Sequence, residues 1–263
     1  MLTDEVTIGN KKGKDWADET VAQLKSMPNV IVKNRSQVFG YYDHNMMVMF
    51  ERTKDHIESP NKYTPRQKLW YIRAKEVLVS TGSIERPLIF GNNDRPGILL
   101  ASAAKEYIKK YGVLVGKKPI VFTNNDSAYD TAIEFKKNGV NPLVIDVRKN
   151  SESTVVKEAK DLGITIKFSH AVANTKGYLR VNSAIVGKLN NDKSGYESLE
   201  NIPCDCVCVS GNWTPTVHLS SQSGNKLKFD EMISAFIPVS YTHLRAHETL
   251  RYLVCRLQLE NKK

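Results

Sequence analysis

The stretch PIVFTNNDSAYDTAIEFKKNGVNPLVIDVR, residues 119–148, ends an apolar run in two amides, a carboxylate and a hydroxyl: Asn124, Asn125, Asp126 and Ser127. A helical pattern follows, then a second apolar run that closes on Asp146. Strand, tight loop, helix and strand with an acid at the second strand's end is the outline of a dinucleotide-binding unit. There, phosphate meets backbone amides at the helix N-terminus, and an acid about twenty residues on receives a ribose hydroxyl. The amides of Asp126 and Ser127 are the expected phosphate contacts, and Asp146 the expected ribose carboxylate. The glycines of GxGxxG are missing, however. Side chains at Asn124, Asn125 and Asp126 would crowd a pyrophosphate, and Asp126 would repel it. The alternative is a unit that keeps the fold and uses Asp126 to cap its helix.

Two further stretches end strands on glycine. EVLVSTGSIERPLIF, residues 76–90, turns at Thr81-Gly82, where the missing side chain lets a ligand or another backbone approach. CVSGNWTPTVHL, residues 208–219, ends on Ser210-Gly211 and continues into Trp213 and Pro215, as a return from one domain to its neighbour. His218 has no identified carboxylate or nucleophile partner and reads as structural; no catalytic residue is assigned. Cys204, Cys206 and Cys208 alternate in CDCVCV. On a strand they would share one face at about 6.5–7 Å spacing, a row poorly shaped for one metal ion, so no metal site is expected.

The elements that must position these residues alternate. DWADETVAQLKSM predicts a helix with Ala17, Val21 and Leu24 on one face, ended by Pro28-Asn29. VIVKNRSQVFGYYDHNMMVMFER predicts one or two strands, and RQKLWYIRAKEVLVSTG continues as strand. After a Pro-Gly turn, Ile98, Ala101, Ala104 and Ile108 recur at helical spacing. TVVKEAKDLGITIKF reads as helix then strand, YLRVNSAIVGKL as a β-hairpin, and CDCVCVSG as a strand. Strands alternating with helices predict a largely parallel α/β sheet.

At 263 residues, 41% hydrophobic and 25% charged, the chain is long enough for a substantial core and has an ordinary soluble composition. No apolar run approaches a membrane span, and the residues after Met1 are polar and acidic rather than signal-like, so a cytoplasmic protein with no membrane partner is expected. The net charge of +10 raises nucleic acid as a partner. The lysines are scattered among acids with no recognition motif, and a solvated surface accounts for them.

The C-terminal segment reads differently. Val239–Thr249, VSYTHLRAHET, resembles the translation of a transposase-type sequencing adapter, and LVCRLQLENKK resembles its flow-cell end running into poly-A. An amphipathic helix is the alternative. On the adapter reading, His243, His247 and Cys255 leave every site hypothesis. The tail then carries +3 of the charge, leaving +7 for residues 1–238.

The loop VSTGSIERP resembles the ATGAxxRxP signature of flavoproteins with two dinucleotide-binding domains, with Ser80 and Ser83 in place of alanines and Pro87 directly after Arg86. The resemblance implies that Thr81, Gly82, Ser83, Arg86 and Pro87 lie against a cofactor. FGYYDHN (39–45), TPRQKLWYIRAKEVLVSTGSIERPLIFGNNDRPGILLASA (64–103), YGVLVGKKPIVFTNNDSAYDTA (111–132) and VSGNWTPTVHLSSQSGNKLKFDE (209–231) together resemble the α subunit of heterotetrameric sarcosine oxidase. VFTNNDSAY is typical of that family. Opine and related amine oxidase subunits share the TGxxER pattern more loosely.

The resemblance implies an α/β, Rossmann-like, three-layer FAD/NAD(P)-binding fold with a central NAD-type domain inserted in a partial FAD-type domain. The expected divisions are 1–112, 113–210 and 211–238, with 239–263 as the foreign tail. Gly211 and Trp213 join the expected cofactor-side residues. The implied activity is that of a complex with β, γ and δ subunits that demethylates sarcosine to glycine, releases hydrogen peroxide and passes a one-carbon unit to tetrahydrofolate. NAD or FAD in the intact subunit and an FMN shared with the β subunit are the implied cofactors. The first GxGxxG fingerprint and the folate domain are missing from these residues, so no tight dinucleotide binding and no independent activity are expected. A non-catalytic scaffold that docks a β subunit is the competing reading.

Overall fold

A computed structural model describes residues 7–192, 194–239 and 255–257. Of residues 239–263, expected above to be adapter, all but Val239 and the strand Cys255–Leu257 lie outside the described residues. The chain divides into two compact units, with the boundary at Val79 and Ser80.

The first unit runs up to Val79 and includes His218–Lys226. It opens with a small hairpin, β1 (Thr7–Ile8) and β2 (Lys11–Lys12), and the helix α1 (Gly13–Ser26). Val21 and Leu24 of α1 remain 40% and 37% exposed, so the stripe read from the sequence is not a buried face in this unit. An antiparallel meander follows: β3 (Ser36–Tyr42), β4 (Met46–Arg52) and β5 (Gln67–Arg73). The tight turn between β3 and β4 holds His44 and Asn45 at positive φ, and the Asn45 amide explains how it persists. That amide accepts from Tyr41 Oη at 2.8 Å and donates to the Lys75 carbonyl at 3.0 Å. The same contact interrupts the strand expected to run unbroken through Val79, and β6 (Val77–Val79) is a separate piece.

The second unit comprises Ser80–Val217 and the segment from Leu227. β7 (Ser83–Glu85) precedes β8 (Ile98–Leu100), which runs directly into α2 (Ala101–Tyr111). Ile98 is therefore a strand residue, not part of the helical repeat it matched by spacing. β9 (Pro119–Thr123), α3 (Tyr129–Lys137), β10 (Leu143–Asp146), α4 (Thr154–Asp161) and β11 (Thr165–Phe168) follow in strict alternation.

The expected YLRVNSAIVGKL hairpin is instead the middle of a three-stranded antiparallel sheet: β12 (His170–Lys176), β13 (Ser183–Leu189) and β14 (Tyr196–Pro203). Tyr178 and Leu179 lie in the exposed connection before β13. The polar run YESLENIP gives no alternating signal, and pairing with β13 makes it a strand, a tertiary override of propensity. β15 (Cys206–Ser210), β16 (Trp213–Pro215), the short helix α5 (His218–Gln222) of the first unit, and a hairpin of β17 (Leu227–Asp230) and β18 (Ala235–Pro238) complete the order.

The central sheet is fully parallel in the order β11-β10-β9-β15-β8. Both faces are buried, which is why its strands read as continuous apolar runs. Val121, Val144, Cys206 and Cys208 pack on the α2–α4 side; Ile120, Phe122, Ile145, Val207 and Val209 pack towards β12 and β13. Cys204 belongs to that second layer, so the three cysteines do not share one face as expected. Cys204 precedes β15, and the strand's alternation does not reach it. The class is α/β and Rossmann-like.

Candidate strand-end site

Register places Thr123, Asp146 and Ser210 side by side at the carboxyl ends of β9, β10 and β15. This is the end of a parallel sheet where ligands of such folds bind, because the loops there open between outgoing helices. All three residues are fully buried.

The loop after β9 is knitted by its own side chains. Thr123 Oγ1 donates to the Asn125 carbonyl at 2.9 Å and accepts from the Asn125 amide at 3.0 Å. Asn125 Nδ2 donates to Ser210 Oγ at 3.0 Å, and Asn124 N donates to the Ser210 carbonyl at 3.4 Å. Asn125 Oδ1 accepts from the backbone N–H of Ser127 at 3.0 Å and from its hydroxyl at 2.6 Å. The capping side chain ahead of α3 is thus Asn125, not Asp126 as the sequence suggested. Its amide oxygen can reach the Ser127 N–H, one of the orphan donors at a helix start.

Asp126 points elsewhere. Its Oδ1 meets Arg148 at 2.7 Å and accepts from Ser151 Oγ at 3.0 Å. Burial pulls its carboxyl upward, but the hydrogen bonds from Arg148 and Ser151 and the Arg148 charge outweigh this and hold it below the usual carboxylate range. Arg148 also pairs with Asp146 at 2.8 Å. The Asp146 oxygens accept in addition from Tyr129 Oη at 2.7 Å and the Arg148 backbone N–H at 2.9 Å. Burial and then the Asp146 hydrogen bond raise the Tyr129 hydroxyl well above its ordinary range. Asp146 sits at the expected strand end, with its oxygens turned to internal donors. Arg148, Tyr129 and Ser151 were missed by sequence reasoning; the DVR ending of the strand was the available signal for Arg148.

The second half of the site pairs β7 with β16, bringing Glu85 opposite Trp213 and Ser83 opposite Pro215. Thr81 Oγ1 donates to the Thr216 carbonyl at 2.8 Å, and Thr216 N donates to the Gly82 carbonyl at 2.9 Å. Gly82 adopts φ 67°, the left-handed region that its lack of Cβ makes accessible. Arg86 donates to three carbonyls: Gly211 at 3.3 Å, Ser234 at 2.7 Å and Ile233 at 3.1 Å. A Cβ on Gly211 would stand 2.7 Å from the Pro87 carbonyl oxygen, so that position requires glycine. Trp213 Nε1 donates to Ser127 Oγ at 2.9 Å and joins the two halves.

Glu85, another residue the sequence left unassigned, is buried and accepts from the Ser102 N–H at the start of α2 at 2.8 Å. His218 is exposed at the start of α5. Among the described residues no group of three or more His, Cys, Asp or Glu is placed to hold a metal ion, and no helix is long and apolar enough to cross a membrane.

The same fold occurs in solved reductases and a dehydrogenase. Thioredoxin reductase from T. acidophilum superposes with a TM-score of 0.62 at 16% identity, over 86% of this chain and 68% of that one. L-proline dehydrogenase from P. horikoshii gives 0.58 at 21%, over 90% and 39%. By sequence the chain is a relative of sarcosine oxidase α subunits: 35% identical to that of Corynebacterium sp. (strain U-96) over 85% of its length, and 34% identical to that of Rhizobium meliloti (strain 1021) over 90%. It spans about a quarter of those relatives, 23% of each. No family model matches the chain.

Proposed function

We propose that this chain is part of a sarcosine oxidase-type assembly, an oxidoreductase acting on a CH–NH donor. The assembly demethylates sarcosine to glycine, releases hydrogen peroxide and passes the one-carbon unit to tetrahydrofolate. In this reading β, γ and δ subunits complete the complex in the cytoplasm, the β subunit carries the amine oxidation, and it shares an FMN with the α subunit. The observation that carries it is the identity of 34–36% to sarcosine oxidase α subunits over 85–90% of the chain.

The role assigned to these residues is structural support. What supports this is the hydrogen bonding in the short 3-10 turn, Asp126–Ala128, that leads into α3. A pyrophosphate seeking the Ser127 N–H meets the Asn125 side chain already bonded to it, and the Asp126 carboxylate adds like charge beside it. Asp146 offers a ribose no unused face, because it is fully buried among Arg148 and Tyr129. The NAD or FAD of the intact subunit does not fit this loop, and no chemical step is routed through it.

Two measurements test the reading. Peroxide release by the intact subunit assembled with its β, γ and δ partners is expected with sarcosine and not with opines; turnover of opines alone would overturn the substrate assignment. Titration of the 263-residue chain with NAD and FAD is expected to show no nanomolar binding, and a nanomolar Kd would overturn the support role.

A further inference from the structure

We propose that the antiparallel meander of the first unit carries a binding groove for a small multivalent oxyanion. The groove is an open concavity of about 470 Å³ at the end of the β3–β4 pair, lined mostly by exposed side chains. Arg52 N donates to the Arg35 carbonyl at 3.0 Å, which closes the strand pair and sets the backbones of these two arginines beside each other. The loop after β4 brings His56 to the same wall. Three cationic or hydrogen-bonding side chains therefore converge with Ser36 and Gln37 on one concavity.

The wall contains one acid, Asp55, whose Oδ1 accepts from Arg66 Nε at 2.7 Å in an exposed ion pair. Neither Arg35 nor Arg52 nor His56 makes an ion pair among the described residues. The Arg52 guanidinium carbon lies 5.8 Å from the centroid of the Phe50 ring, which also lines the groove. Two guanidinium forks on one wall match the paired oxygens of phosphates or carboxylates. Like charges held close repel, and a bound oxyanion relieves that repulsion. This inference does not rest on the sarcosine oxidase reading.

Calorimetric titration of the full chain at low ionic strength, with inorganic pyrophosphate and separately with citrate, tests it. One saturable site is expected for at least one probe, and the stronger of the two identifies phosphate or carboxylate as the preferred group. The double variant Arg35→Gln/Arg52→Gln is expected to bind at least tenfold more weakly. Lys149→Gln, an exposed cation of the other unit, should bind as the parent does. Should the double variant fail to fold, the single variants Arg52→Gln and His56→Asn carry the comparison. Absence of saturable binding for both probes overturns the proposal, as does an affinity unchanged by the arginine substitutions.

Discussion

Trp213 donates its indole N–H to Ser127 Oγ across 2.9 Å, joining the segment after β15 to the loop after β9. The Ser127 hydroxyl in turn donates to Asn125 Oδ1, and Asn125 Nδ2 donates to Ser210 Oγ, so the chain of bonds returns to the strand from which Trp213 departs. The loop is held shut by neutral donors and acceptors that satisfy each other.

Removing one member of that ring is expected to cost a modest amount. Trp213→Phe keeps the aromatic body and deletes the donor, and about 1 kcal/mol of stability should be lost. Urea denaturation is expected to show a lower midpoint with an unchanged slope. A midpoint equal to the parent's would show that the bond contributes nothing.

Arg148→Met should be more damaging. It leaves the fully buried Asp146 carboxylate with Tyr129 and a backbone N–H but no cation. Breaking a buried pair from one side costs about 3 kcal/mol, the low end being apt because Arg148 keeps 28% side-chain exposure. Asp146→Leu combined with Arg148→Met should cost less than Arg148→Met alone, and a double-mutant cycle measures the coupling.

The same cluster sets a pH dependence at both extremes. Tyr129 is raised above its ordinary 10.0 by burial and by Asp146, so its contribution is fully present below pH 10 and is lost as pH rises towards the folded value. Stability should fall above pH 10 by up to about 1.4 kcal/mol per unit from this group. Tyr129→Phe should lack that share, while the buried Tyr41, also raised, retains its own. Asp126 is depressed below 3.8, so its contribution is present above that pH and is lost as pH falls through the folded value. Asp126→Asn should flatten the acid limb of a stability–pH curve.

Gly211→Ala tests the close approach of the two strand ends. The added methyl would stand 2.7 Å and 2.9 Å from the carbonyl oxygens of Pro87 and Arg86, backbone atoms that cannot rotate away. A loss of about 1–3 kcal/mol is expected from overpacking, read as a lower Tm. An unchanged Tm would mean that this backbone yields freely.

The cysteines should behave as buried apolar side chains. Burial pushes the Cys204 thiol up to about 12, and the Cys206 hydrogen bond with burial raises Cys208. Thiolate is the reactive form, so neither should be alkylated in the folded protein at pH 8, and both should react in denaturant. Mass spectrometry locates the modified residues; rapid labelling of either in the native state would contradict the packing.

The alternation of apolar runs with helical periods was enough, by itself, to give a parallel α/β unit, because strands buried on both faces must be apolar throughout and helices must carry stripes. It also placed Thr81-Gly82, Asp146 and Gly211 at strand ends, and the absent glycines of TNNDSA already argued against a pyrophosphate loop. What it could not give was the partner of each polar group. Asn125 rather than Asp126 caps the short 3-10 turn ahead of α3 because Asp126 finds Arg148, a residue twenty-two positions on that only the pairing of β9 with β10 brings near. β14 was likewise decided by its neighbour across the sheet, and the layer of Cys204 by its place ahead of β15. Periodicity is a local property of the chain and is written in the sequence. Which charge or hydrogen bond is satisfied depends on strand register, and only the tertiary structure sets that.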